Sequence, residues 1–215
     1  MMFPNSKRIP MEEGCYSISE LMLLMTERIG ETARSLDLGD AGRFIDMIIG
    51  AERIYVAGAG RSGLVGRAFA MRLRHLGLEA FVVGETITPA MRPGDTLVAF
   101  SGSGETNSIV DICESVRDLG GRICLITATP ESRIGGIANC IVNLGEYAPR
   151  IHGIPGRYEV RQLTGQYRSV STSLAPFGAL FEITALIFSD AVLSALMELR
   201  HCSLEEIKGR LPNIQ

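Results

Sequence analysis

Val98-Ala99-Phe100-Ser101-Gly102-Ser103-Gly104-Glu105-Thr106-Asn107 is the stretch that decides the fold. The apolar run Thr96 to Phe100 reads as a strand, and Ser108 to Leu119 as a helix, so the Ser/Gly run between them is a strand-to-helix turn. At such a turn the first amides of the helix have no intrahelical partner. They point outward, and the helix dipole adds partial positive charge. Glycines let the backbone approach a ligand closely. A helix cap needs one hydroxyl, whereas this turn holds three, Ser101, Ser103 and Thr106, with Gly102 and Gly104 among them. An anion with several oxygens, such as a phosphate monoester, suits that set. A capped helix behind a polar turn is the plainer alternative.

Outward from this turn the same pattern repeats. Strands are expected over Arg53 to Ala57, Ala80 to Val83, Arg122 to Thr127 and Cys140 to Leu144, and helices over Ser62 to Leu76 and Ser132 to Ala138. Gly120-Gly121 reads as a left-handed end to the helix before it. Strands this apolar, alternating with helices, predict a five-stranded parallel sheet buried on both faces. Right-handed crossovers make it a three-layer, doubly wound α/β domain with flavodoxin-like strand order. Ahead of it, Ser17 and Glu20 form a capping-box start for a helix with Leu21, Leu24, Met25, Ile29 and Leu36 in a stripe. That stripe suits the sheet or a partner subunit. A second helix starts at Asp40. From Gly145 to Ser171 the pattern stops and a long loop is expected. A long apolar helix follows from about Ser173, then a short one opened by Ser203-Leu204-Glu205-Glu206. One domain spans 15–215, after a loose tail over 1–14.

Composition narrows the class. The 215 residues are 46% apolar and carry a net charge of −3, which suits a full core and argues against nucleic acid as a partner. The five cysteines are scattered without metal-type spacing, which suggests a reducing cytoplasm and no metal. The N-terminus has no continuous apolar segment of the signal-peptide kind. The most apolar stretch, Leu174 to Leu199, is broken by Glu182 and Asp190 and reads as a buried helix rather than a membrane span.

Gly58-Ala59-Gly60-Arg61-Ser62-Gly63 after the first strand is a literal G-x-G-x-x-G, and Glu85 sits near where a ribose-binding acid would fall. A dinucleotide site needs one such loop. Two adjacent loops suit a small sugar phosphate better.

Gly60-Arg61-Ser62-Gly63, the Ser101 to Thr106 turn and Ala175-Pro176-Phe177-Gly178-Ala179-Leu180-Phe181-Glu182 together resemble the sugar isomerase (SIS) domain. With Val82-Val83-Gly84-Glu85-Thr86-Ile87-Thr88-Pro89-Ala90, the chain more narrowly resembles the 6-phospho-3-hexuloisomerase family. The resemblance implies a homo-oligomer, a tetramer or dimer of dimers. It also implies a reaction without metal or organic cofactor. That reaction interconverts arabino-3-hexulose 6-phosphate and fructose 6-phosphate in the ribulose monophosphate pathway of formaldehyde fixation. A non-catalytic sugar-phosphate sensor and an isomerase of another sugar phosphate are the alternatives.

Moving a carbonyl from C3 to C2 through an enediol(ate) needs one base. Glu182 is the candidate, because its apolar neighbours Leu180, Phe181, Ile183 and Leu186 would raise its pKa toward neutrality. Gly60, Arg61, Ser62, Ser101, Gly102, Ser103, Gly104, Glu105 and Thr106 are assigned to the substrate and its phosphate. Ser62 could instead cap its helix, Arg61 could be a surface residue, and Glu105 is expected to turn away, to Arg61 or a neighbouring subunit. Glu85 and Thr86 could line the mouth, though an arginine pair suits Glu85 as well. His75 is the candidate acid, ahead of His152 and His201. The family commonly ends in His-Ala-Asn-Leu/Ile-Glu, where this chain has Leu211-Pro212-Asn213-Ile214-Gln215.

Overall fold

A computed structural model describes residues 18–145 and 179–211. In chain order it contains α1 (Ile18–Ser35), α2 (Leu38–Ile49), β1 (Ile54–Gly58), α3 (Gly60–His75), β2 (Ala80–Val82), β3 (Thr96–Phe100), α4 (Asn107–Asp118), β4 (Arg122–Thr127), β5 (Cys140–Asn143), α5 (Ala179–Leu199) and α6 (Leu204–Gly209). All five strands are parallel, in the order β2-β1-β3-β4-β5. This is the expected doubly wound α/β sheet.

The strands alternate between two cores. β3 sends Val98 and Phe100 to one face and Leu97 and Ala99 to the other, all fully buried. On the first face lie α2, α3 and α5, with Phe44, Phe69, Phe100 and Phe188 in edge and tilted ring contacts. On the second lies α4, with Val110, Cys113, Ile123 and Leu125. Gly66 brings α3 down onto the sheet, since a Cβ there would stand 2.9 Å from Val56 Cγ1.

Several local expectations shift. α2 begins before Asp40, because Asp37 caps it by accepting from the Asp40 amide at 2.9 Å. The segment expected to be helical over Ser132 to Ala138 forms only a 3₁₀ turn, Gly135–Ile137. Of the two glycines after α4, only Gly120 is left-handed, at φ +77°. The Gly121 amide then closes the turn on Val116 O, as in a Schellman cap. α1 lies against α5, Leu36 packs on the first core, and Thr32 is the buried residue of α1. The Ser203 capping box of α6 is formed as expected. The start expected at Ser17, the tail over 1–14, the loop over 146–171 with His152, the cap at Ser173 and the segment 212–215 lie outside the described residues.

α5 is long and apolar enough to cross a membrane, but one of its faces is built into the first core through Phe181, Ala185, Phe188, Val192 and Leu196.

Candidate functional site

Gly58 and Phe100, the last residues of β1 and β3, are register partners, so the turns that follow them leave the sheet side by side. This is where the strand order reverses, the usual ligand crevice of an open parallel sheet.

The turn after β1 is held by backbone contact. A Cβ on Gly63 would stand 2.5 Å from Gly58 O, and one on Gly58 would stand 2.9 Å from the Gly63 amide. Two glycines of the G-x-G-x-x-G therefore serve the close packing of α3 on β1, and Gly60, at φ +57°, bends the chain into the helix. Glu85, the acid that a dinucleotide would need, is ion-paired with Arg67 on the surface. The helix cap is Ala59, so Ser62 is not a cap. Ser62 is buried, and its hydroxyl donates to Glu182 Oε1 at 3.3 Å. Arg61 beside it is exposed.

The turn after β3 is pinned by β4. Gly102 O accepts from the Ala128 amide at 3.0 Å and from the Thr127 hydroxyl at 3.1 Å. Gly104 is left-handed, φ +62°, and leaves no room for a side chain, since a Cβ would stand 1.9 Å from Ser132 Oγ. Ser103 Oγ accepts from the Glu105 amide at 3.2 Å. Thr106 occupies the N-cap position of α4, but its side chain does not cap the helix. Ser101 is buried, and its hydroxyl has no hydrogen-bond partner among the described residues. Glu105 bonds to Arg133 rather than to Arg61: its Oε1 accepts from the Arg133 amide at 2.8 Å.

α5 closes the group. A Cβ on Gly102 would stand 3.0 Å from the Phe181 ring, so the turn after β3 rests on the first turn of α5. The next residue, Glu182, is half-buried. Its Oε1 faces Ser62, and its Oε2 is closed to solvent and has no partner among the described residues. Burial pushes its pKa above the ordinary value; its own helix amide, the Arg61 charge and the Ser62 hydroxyl pull the other way. The arrangement is a partly desolvated carboxyl bonded to Ser62 of the turn after β1 and next in sequence to Phe181, on which the hydroxyl-bearing turn after β3 rests, which suits proton abstraction next to an anion site.

His75 is not brought to this group. It ends α3, which starts at the carboxyl edge of the sheet, so thirteen residues of helix rise separate it from Ser62 by about 20 Å. It is buried at the amino edge with Nδ1 unpartnered, and burial and Arg72 lower its pKa. The expected pairing of His75 with Glu182 is therefore not formed within this chain. His201 follows the far end of α5. Among the described residues no group of three His, Cys, Asp or Glu side chains could hold a metal. The sequence reading missed Phe181 as the contact to Gly102, and the segment Thr127 to Arg133 as the wall behind Glu105. The second had a signal: Thr127 ends the strand beside β3.

Residues 47–150 match the family model of the SIS domain. The chain is 34% identical to a Bacillus subtilis 3-hexulose-6-phosphate isomerase over 92% of its own length and 98% of the relative's. It is 33% identical to a Mycobacterium gastri protein of the same name, over 92% of each. A crystal structure from Methanococcus jannaschii, from which a function of 3-hexulose-6-phosphate isomerase was inferred, superposes with a TM-score of 0.73 at 29% identity. It covers 90% of this chain and 98% of its own.

Proposed function

This chain belongs to the SIS domain family of sugar-phosphate isomerases, and on that premise we propose that it interconverts arabino-3-hexulose 6-phosphate and fructose 6-phosphate. The observation that carries the reading is the meeting of Glu182 with the two turns: its carboxyl is hydrogen-bonded to Ser62 and lies next to Phe181, against which Gly102 packs. The phosphate is assigned to the turn after β3, where Ser101, Ser103, Thr106 and the first amides of α4 supply neutral donors and the helix dipole favours the dianion. Arg61 adds the compensating charge from the neighbouring turn.

Glu182 takes the proton from C2 of the 3-ketose. The electron pair forms the C2–C3 enediolate with the charge on O3, the O2 hydroxyl proton passes to O3, and the same carboxylic acid returns its proton at C3 to leave the carbonyl at C2. A carboxyl with a raised pKa is better matched to a carbon acid than an ordinary one and contributes on the order of 10²–10⁴ in rate. The Ser101 hydroxyl and Glu182 Oε2 are both closed off and unsatisfied in the free protein, at a cost of about 1–3 kcal/mol for a buried polar group. Assembly into a homo-oligomer, a cytoplasmic location and a role in the ribulose monophosphate pathway belong to the same proposal.

The test is exchange in heavy water. Incubated with fructose 6-phosphate, the protein should place deuterium at C3 and build up the 3-ketose. Binding without exchange would make it a sensor, and exchange at C1 alone would make it an aldose–ketose isomerase.

A further inference from the structure

The hydroxyl of Ser62 is already engaged in the free protein, and its partner is Glu182 rather than open crevice. Ser62 lies in the first turn of α3, where Gly58 and Gly63 bring the helix backbone directly onto β1, and it is 9% exposed. A carboxylate can accept about four hydrogen bonds. Among the described residues Glu182 accepts a side-chain bond on Oε1 alone, while Oε2 has no partner. The two oxygens are thus made unequal by one neighbour.

We infer that Ser62 is a positioning residue: its hydroxyl holds Oε1 and so sets the orientation and basicity of the Glu182 carboxyl that takes and returns the substrate proton. This rests on the proposed role of Glu182 as base. It gives Ser62 a duty other than the phosphate contact suggested by the Gly/Ser turn in which it sits. A neutral donor suits the duty. A hydrogen bond to the charged form favours that form and so opposes the effect of burial. A lysine or arginine in direct contact would favour the carboxylate much more strongly and cost it basicity. Of the charged groups on the surrounding elements, including Arg67 of α3, Glu105 of the turn after β3, Arg28 of α1 and Asp46 of α2, Arg61 is the one that acts on Glu182 among the described residues.

The experiment compares Ser62→Ala, Ser62→Thr and Ser62→Cys with the unaltered protein. Two readouts are used: the pH dependence of kcat and KM for fructose 6-phosphate, and the Glu182 carboxyl titration followed by carbon-13 NMR on the full chain. In S62A the acid limb of kcat and the carboxyl titration should both move up by about one pH unit, with kcat at neutral pH down about tenfold and KM nearly unchanged. S62T should restore most of both, and S62C, a weak donor, should lie between. A rise in KM with the acid limb in place would overturn the inference and make Ser62 a phosphate ligand. The NMR arm separates this from failure of the isomerase reading. If fructose 6-phosphate is not turned over, a titration that still moves on S62A keeps the Ser62–Glu182 contact while the base role falls. A titration that stays put removes the contact itself. S62A and S62T act on the same helix position, so a variant that fails to fold leaves the other to decide.

Discussion

Two carboxyls are withdrawn from water at opposite edges of the sheet, and they are treated in opposite ways. At the amino edge, Asp95 is 2% exposed and fully matched. Its Oδ1 accepts from Arg53 Nε at 3.2 Å, and its Oδ2 accepts from Arg53 Nη2 at 2.6 Å and from the Arg92 amide at 2.7 Å. At the carboxyl edge, Glu182 has one long hydroxyl contact and one oxygen with nothing. A buried charge survives when an opposite charge and hydrogen bonds replace its water, as at Asp95. Where they do not, the group drifts toward its neutral form and becomes reactive near neutral pH. The difference separates a clasp from the carboxyl proposed as the base.

The largest expected effect breaks the working side. Glu182→Gln keeps size and polarity but cannot accept a proton from carbon, so turnover should fall about 10³-fold, within the 10²–10⁴ of a general base. The fold, followed by circular dichroism, should stay intact, and near-normal turnover would refute the base assignment. The clasp is broken by Asp95→Ala, which strands a mostly buried Arg53. The midpoint of urea unfolding should drop by the equivalent of about 3–5 kcal/mol, while kcat per folded molecule changes little. If both variants lost activity and stability alike, the contrast between the two edges would not hold.

A smaller effect is expected at Gly104. Alanine there meets both a left-handed backbone and Ser132 Oγ, and strain of this kind costs about 1–3 kcal/mol. Because the same turn is assigned to the phosphate, Gly104→Ala should also raise KM for fructose 6-phosphate. Ser101→Ala sharpens the point further. It deletes a buried hydroxyl that has no partner in the free protein, so unfolding stability should hold or rise slightly even as KM increases several-fold. A loss of stability with unchanged KM would mark Ser101 as structural.

The sheet was legible because its strands are short apolar runs separated by turn signals, and burial on both faces leaves such runs few alternatives. The two turns were legible for the same reason: hydroxyls and glycines between a strand and a helix have a narrow range of uses. The contact of Ser62 with Glu182 was not, because the residues are 120 positions apart and nothing in either neighbourhood encodes where α5 lands. Nor was the partner of Glu105, since a backbone amide of Arg133 leaves no mark in composition. The position of His75 was available and not used. A helix that begins at the carboxyl edge must end at the amino edge, and the 16 residues of α3, at about 1.5 Å each, outrun the five-residue strands it packs on.

The smallest effect comes from the same contrast read as stability against pH. Glu182 has its pKa raised above 4.5 in the folded chain, chiefly by burial, and the unfolded chain has the ordinary value. Between those two values the folded state binds more protons than the unfolded one, so stability falls as pH rises through that window. Below the window the carboxyl is neutral in both states and costs nothing extra. Above it, folding carries the full cost of a desolvated charge. Glutamine never charges. Glu182→Gln should therefore match the unaltered protein in thermal midpoint at the acid end, and exceed it by a margin that opens as pH rises through the folded pKa and is constant beyond. An advantage for the glutamine variant that was equal at every pH would come from packing, and would remove desolvation as the reason this carboxyl can act as a base.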